Sequence, residues 1–159
     1  MCTTAKRAIK ILPVYGDLRV RGAAQAIDFY SRAFVRRNHS GSVMERAHRQ
    51  AEFKIGETVL MLSEEYPELG VLSPSTLAGT TFAIHLHVDD VEAAMARAVD
   101  AGAVTLREAT DHVYGERSGM VRDPFGHEWL LGQEIEQMTP EEMQRHLNAS
   151  LTSRPKGKE

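Results

Sequence analysis

The sequence predicts an α+β fold made of two βαβββ modules in tandem, followed by a short C-terminal helix. Three observations predict it. Val20 and Val88, 68 positions apart, each end a segment in which apolar residues alternate with polar ones. Behind each anchor, apolar residues recur at helical spacing, and each half then closes on a pair of strand-like segments. Self-similarity of this kind marks a duplicated supersecondary unit.

Residues 1–10 read as an N-terminal arm and 11–63 as the first module. Leu12, Val14, Leu18 and Val20 alternate, which describes a strand with one packed face. Ala23, Ile27, Tyr30 and Phe34 then fall on one face of a helix. Arg36 to Ser42 is polar and reads as loop. Gln50–Ile55 and Thr58–Ser63 are strand-like and meet at a Gly56-Glu57 turn. Residues 64–81, with Pro67, Gly70, Pro74 and Gly79, form a linker or flap.

The second module occupies 82–133. Ile84, Leu86 and Val88 alternate, and Val91, Ala94, Met95, Ala98 and Val99 make the helical stripe. Asp89 is the expected N-cap and Gly102 the expected stop. Gly119–Arg122 and Glu128–Gly132 are joined by Asp123-Pro124-Phe125-Gly126, where Pro presets the turn and Gly ends it. Thr139-Pro140-Glu141-Glu142 starts a helix over 138–152 with a narrow Met143, Leu147, Leu151 stripe, and 153–159 is a disordered tail.

Composition narrows the function. With 19 basic residues against 22 acidic ones, the chain has no field for gripping a polyanion, so nucleic acid is not an expected partner. One cysteine, Cys2, allows neither an internal disulfide nor a CxxC metal knot. No apolar run approaches the roughly 18 residues of a membrane span, and no secretory leader is evident, so a cytoplasmic protein is expected.

Three stretches, VRGAAQAIDFYSRAF, IHLHVDDVEAAMARAVDAGA and YGERSGMVRDPFGHEWLL, resemble the vicinal oxygen chelate superfamily. It contains glyoxalase I, bleomycin-resistance proteins, fosfomycin-modifying enzymes and extradiol dioxygenases. The resemblance covers about residues 11–132 and implies modules that curl around a cavity, usually in a homodimer that shares or swaps them. It also implies a divalent metal, held by a His on the first strand and a Glu on the last strand of each module. Carried over, those positions are Tyr15, Met61, Ala83 and Leu130. Ala and Leu have no donor atom, and Met and neutral Tyr suit hard divalent ions poorly. No metal and no other cofactor is therefore expected at them. The resemblance further implies ligand contact by Arg117.

Strand alternation fills in the rest of the cavity. With Leu18 and Val20 packed, Tyr15, Asp17 and Arg19 point inward. With Ile84, Leu86 and Val88 packed, His85 and His87 line the wall, and with Trp129 and Leu131 packed, Glu128 and Leu130 do. Glu52 faces inward when Phe53 and Ile55 pack. The ligand-binding candidates are thus Tyr15, Asp17, Arg19, Met61, His85, His87, Arg117, Glu128 and Leu130. Asp17 and Arg19 equally fit a plain ion pair, and His85 and His87 a two-His metal half-site without evident further ligands. His127 is expected to bond backbone within its own turn.

The preferred reading is a small-molecule-binding protein of the bleomycin-resistance kind, sequestering a metabolite or antibiotic in a metal-free cavity. The alternative is a metal-independent isomerase or lyase on a carbonyl compound, with His85 moving a proton and Glu52 or Asp17 as its partner. A metal-dependent glyoxalase or dioxygenase is third. A domain acting through a partner protein, its cavity filled by its own side chains, also fits.

Overall fold

The computed structural model describes residues 13–35, 43–47 and 50–152. The arm 1–10, Leu12, the loop from Arg36 to Ser42 and the tail 153–159 lie outside the described residues. The first module comprises β1 (Gly16–Val20), α1 (Ala23–Ala33), β2 (Val43–Ala47), β3 (Gln50–Ile55) and β4 (Thr58–Glu64). A 3-10 turn at Pro67–Leu69 and the one-turn helix α2 (Pro74–Leu77) follow. The second module comprises β5 (Ala83–His87), α3 (Val91–Ala101), β6 (Val104–Asp111), β7 (Glu116–Arg122) and β8 (Glu128–Glu134), and α4 (Pro140–Thr152) ends the described chain.

Each module forms its own four-stranded sheet, in the orders β1-β4-β3-β2 and β5-β8-β7-β6. First and last strands of a module pair in parallel, β1 with β4 and β5 with β8, and the remaining pairs are antiparallel. The strand ending at Val20 is shorter than the alternation suggests: Val14 precedes it and is 88% exposed. The cap of α3 is Asp90 rather than Asp89, its carboxylate accepting from the Ala93 N–H at 2.9 Å. Extended backbone at residue 90 is what an N-cap requires. α1 has no capping side chain of its own, and Glu64 at the end of β4 accepts from the N–H groups of Gly22 and Ala23 at 3.1 and 2.5 Å. At α4 the capping box forms, with Thr139 and Glu142 bonded reciprocally.

Helix-facing positions of both sheets converge on one core. Leu18, Val20, Phe53, Leu62, Val121, Trp129 and Leu131 are all buried, with Phe29 and Tyr30 of α1 and Met95 of α3 among them. Tyr30 stacks on Phe53 of the first sheet at 4.8 Å and lies 5.6 Å from Trp129 of the second. Burying each such side chain contributes about 1.5–3 kcal/mol. α1 and α3 therefore pack between the sheets, and each sheet turns its other face away from the core.

Two buried carboxylates tie the parts together. Asp123, in the turn before β8, accepts from the Tyr30 hydroxyl (2.7 Å), the Trp129 indole N–H (3.0 Å) and the backbone N–H groups of Phe125 and His127 (2.9 Å each). Burial, together with the Asp123 charge, holds the Tyr30 phenol well above its ordinary pKa. His127 closes its own turn through its carbonyl, which accepts from the Asp123 N–H at 2.9 Å, while its side chain reaches across the modules, Nε2 donating to the Arg19 carbonyl of β1 at 2.9 Å. Glu65 accepts from Ser73, Thr76 and Arg21 and anchors the connecting segment to the first module. Hydrogen bonds from Ser73 and Thr76 pull its carboxyl down to about 2.

Candidate functional site

The open faces carry the polar residues that alternation assigns to them. On the first sheet, Asp17, Met61 and Glu52 form one row across β1, β4 and β3. On the second, His85, Leu130 and Met120 form a row across β5, β8 and β7, and His87, Gly132 and Ser118 form the next. Glu128 lies beside Ala83 and forms an ion pair with Arg122 at 2.7 Å.

These two sets do not share a cavity within one chain, contrary to the expectation that Arg19 and His85 meet. Arg19 lies in a cleft of about 480 Å³ with Asp17, Leu72, Pro74, Phe82 and His127, roofed by the connecting segment. His85 lies on the other sheet. The physical reason is the core itself: the helices occupy the space between the sheets. A second cleft, of about 390 Å³, runs between the modules past Phe34, Ile55, Leu86, His87 and Arg97, on the helix side. Asp17 is engaged on the first sheet by Arg19 and the Ser63 hydroxyl, and the carboxylate beside His85 is that of Glu116.

Charge pairing reshapes several candidates. Arg19 is bonded to Asp17 at 2.8 Å and to Ser63, so this pair neutralises itself. Arg117 is forked onto Asp111 and also holds Glu92 at 2.8 Å. Hydrogen bonding to Arg117 lowers the Asp111 pKa, and the Asp111 carboxylate raises that of Arg117. Tyr15 is half-exposed just before β1. His112 bonds the Ser118 hydroxyl at 2.8 Å and stacks on Tyr114, while His146 bonds the Val113 carbonyl.

His85 and His87 stand together with an unforeseen partner. Their rings stack at 4.3 Å between centroids, and Glu116 reaches them from β7, its Oε1 3.9 Å from His85 Nε2. One ligand atom from each of the three lies within 4.8 Å of the others. The sequence reading starts this strand at Gly119, which leaves Glu116 in a loop. Extending the alternation back from Ser118 is the signal that would have found it.

Residues 11–131 match the family described as the Glyoxalase/Bleomycin resistance protein/Dioxygenase superfamily. The chain belongs to that superfamily. An uncharacterised protein of Mycobacterium bovis is 36% identical over 149 residues, covering 89% of this chain and 97% of its own. Among solved structures, a gene product of Arabidopsis thaliana is 27% identical with a TM-score of 0.62, covering 77% of this chain and 98% of its own. The fosfomycin resistance protein FosX of Listeria monocytogenes, 16% identical with a TM-score of 0.60, covers 85% and 99% and shares the fold. The His85, His87 and Glu116 group lies on the second sheet, where Ala83 and Leu130 carry no donor atom in their side chains. No helix among the described residues is long and apolar enough to cross a membrane.

Proposed function

We propose that this superfamily member binds a compact anionic or carbonyl-bearing metabolite or antibiotic on the open face of its second sheet, in the cytoplasm. We further propose that a second copy of the chain closes the site. The composition of that face carries the reading. Imidazoles of His85 and His87 adjoin the apolar Leu130 and Met120, the mixture of apolar wall and few placed polar groups that small-molecule sites use. Organic ligand binding here needs no metal at Tyr15, Met61, Ala83 or Leu130.

The second copy follows from what a single chain leaves uncovered. Strands β1, β2, β5 and β6 are sheet edges, and Phe82, Leu106 and the Met143, Leu147, Leu151 stripe are exposed. Proteins bury such edges, and a two-fold dimer is the commonest closed solution. It would let the Asp17, Arg19 and Met61 face of one copy meet the His85 face of the other. Light scattering giving a mass near 17.7 kDa at micromolar concentration would refute the dimer.

A thermal-shift screen of metabolites and antibiotics, run in the presence of a chelator, tests binding. A hydrogen bond to a charged group contributes roughly 1.5–3 kcal/mol, so His85→Ala should weaken a hit about 10- to 150-fold. A hit held equally well by His85→Ala removes this face from consideration. The second reading, proton transfer by His85, is favoured by Glu116 at 3.9 Å and is separated from sequestration by mass spectrometry of the bound compound.

A further inference from the structure

We propose that His85, His87 and Glu116 form a divalent transition-metal site on the second sheet, at a position different from the superfamily's four ligand positions. It goes beyond the ligand-binding reading and stands without it. His85 and His87, two apart on β5, present two imidazoles from one face, and Glu116 supplies a carboxylate from β7, two strands away. Two nitrogens and one oxygen suit zinc, cobalt, nickel or iron(II), and leave positions open for water or a ligand. Ligand atoms about 2.0–2.2 Å from one ion are roughly 3–3.5 Å apart, so donors 3.9 Å apart at His85 and Glu116, and all within 4.8 Å of one another, need a closure of at most about 2 Å, within the reach of side-chain rotation.

An independent feature points to the same place. Gly132 on β8, paired with His87 of β5 and with Ser118 of β7, lies between the two strands that supply the donors. A Cβ there would stand 2.6 Å from His85 Nε2 and 3.1 Å from the Glu116 carboxyl carbon. Gly132 has no left-handed backbone to explain it, and glycine weakens a strand interior. What it provides is space: side chains from β5 and β7 can meet only over a strand position with no side chain of its own. The three donors and the gap beneath them form one arrangement.

The test uses the full, untagged chain carrying Cys2→Ser, which removes the sole thiol. After dialysis against chelator and then metal-free buffer, cobalt(II) is titrated by its visible absorption and zinc(II) by calorimetry. We expect one ion per chain with a micromolar or tighter Kd, zinc displacing cobalt. Removing a supporting partner of a metal ligand already weakens binding about 10- to 100-fold, so His87→Ala and Glu116→Gln should each lose at least that much. Gly132→Ala keeps all three donors but fills the gap, and should lose at least about 10-fold. His146→Ala, which removes an exposed histidine of α4 outside the three-residue group, should bind as wild type does. Circular dichroism and urea midpoints confirm that each variant is folded. Binding only at millimolar metal overturns the site, as does unchanged affinity in folded His87→Ala and Glu116→Gln.

Discussion

Asp123→Asn offers the sharpest test of how the two modules are held together. The wild-type carboxylate divides its work, with Oδ1 taking two backbone N–H groups and Oδ2 taking the Tyr30 hydroxyl and the Trp129 indole. Asparagine has the same shape but only one acceptor oxygen. If that oxygen serves the backbone, the new NH2 faces Tyr30 and Trp129. Tyr30 can turn its hydroxyl to accept, but the indole N–H cannot, and it is left buried without a partner. If the amide is flipped, both backbone N–H groups are orphaned instead. Each buried orphan costs about 1–3 kcal/mol, and loss of charge assistance adds about 1 kcal/mol, so about 2–4 kcal/mol is expected. At this chain length that lowers Tm by about 4–16 °C. Trp129 is the sole tryptophan and fully buried, so urea unfolding followed by its fluorescence, at fixed protein concentration, reads the effect directly. A variant within about 0.5 kcal/mol of wild type, the scatter of ordinary surface substitutions, would refute the reasoning.

Further outcomes follow from the other ties. Because the Glu65 carboxyl is held at about 2 in the folded chain against an ordinary 4.5, its stabilisation is present above pH 4.5 and is lost as pH falls from 4.5 toward 2. Glu65→Gln should thus be less stable than wild type at neutral pH, with the gap in urea midpoint closing across that window. Tyr30 is shifted the other way, so stability is full below the ordinary tyrosine pKa of about 10 and falls at higher pH. Tyr30→Phe should flatten that alkaline loss of stability in urea midpoints measured across pH, while lowering the neutral value by about 1.5–3 kcal/mol. Gly126 holds φ at +92°, and a Cβ there would come within 2.8 Å of the Ser75 backbone nitrogen. Gly126→Ala should therefore cost at least about 1–3 kcal/mol in the same assay.

The modules and their packed faces were legible because alternation is local. Ile84, Leu86 and Val88 need only their own spacing to declare a face, and the fold honours it. The relation between modules was not legible. Nothing in the spacing around Tyr30 says that its ring will touch Phe53 in one sheet and Trp129 in the other, and it is this packing that sets Arg19 and His85 on separate faces. Arg117 shows the same limit at the scale of one charge. Its partners Asp111 and Glu92 come from β6 and α3, and no motif around residue 117 names them. Glu116 was missed for a simpler reason: β7 begins three residues before Gly119, and a strand's first residues lack the apolar alternation that marks its middle.

Register explains how one face of the second sheet gathers donors in some rows and not in others. Side chains on a strand share a face every second residue, so donors at 85 and 87 keep the orientation a donor at 83 would have, moved along the strand by one and two rows. The rows differ in what lies beside them. Ala83 adjoins Glu128, which is taken by Arg122, and His85 adjoins Leu130, which offers no donor. Only the row of His87 adjoins a glycine, and over it the carboxylate of Glu116, two residues before Ser118 of that row, can reach across. Among the described residues the third donor comes from β7: Glu116, paired with Glu134 one row beyond Gly132, is the residue whose carboxylate reaches His85. Filling position 132 should separate the donors without altering any of them, which is why Gly132→Ala discriminates a built site from two histidines that happen to be neighbours.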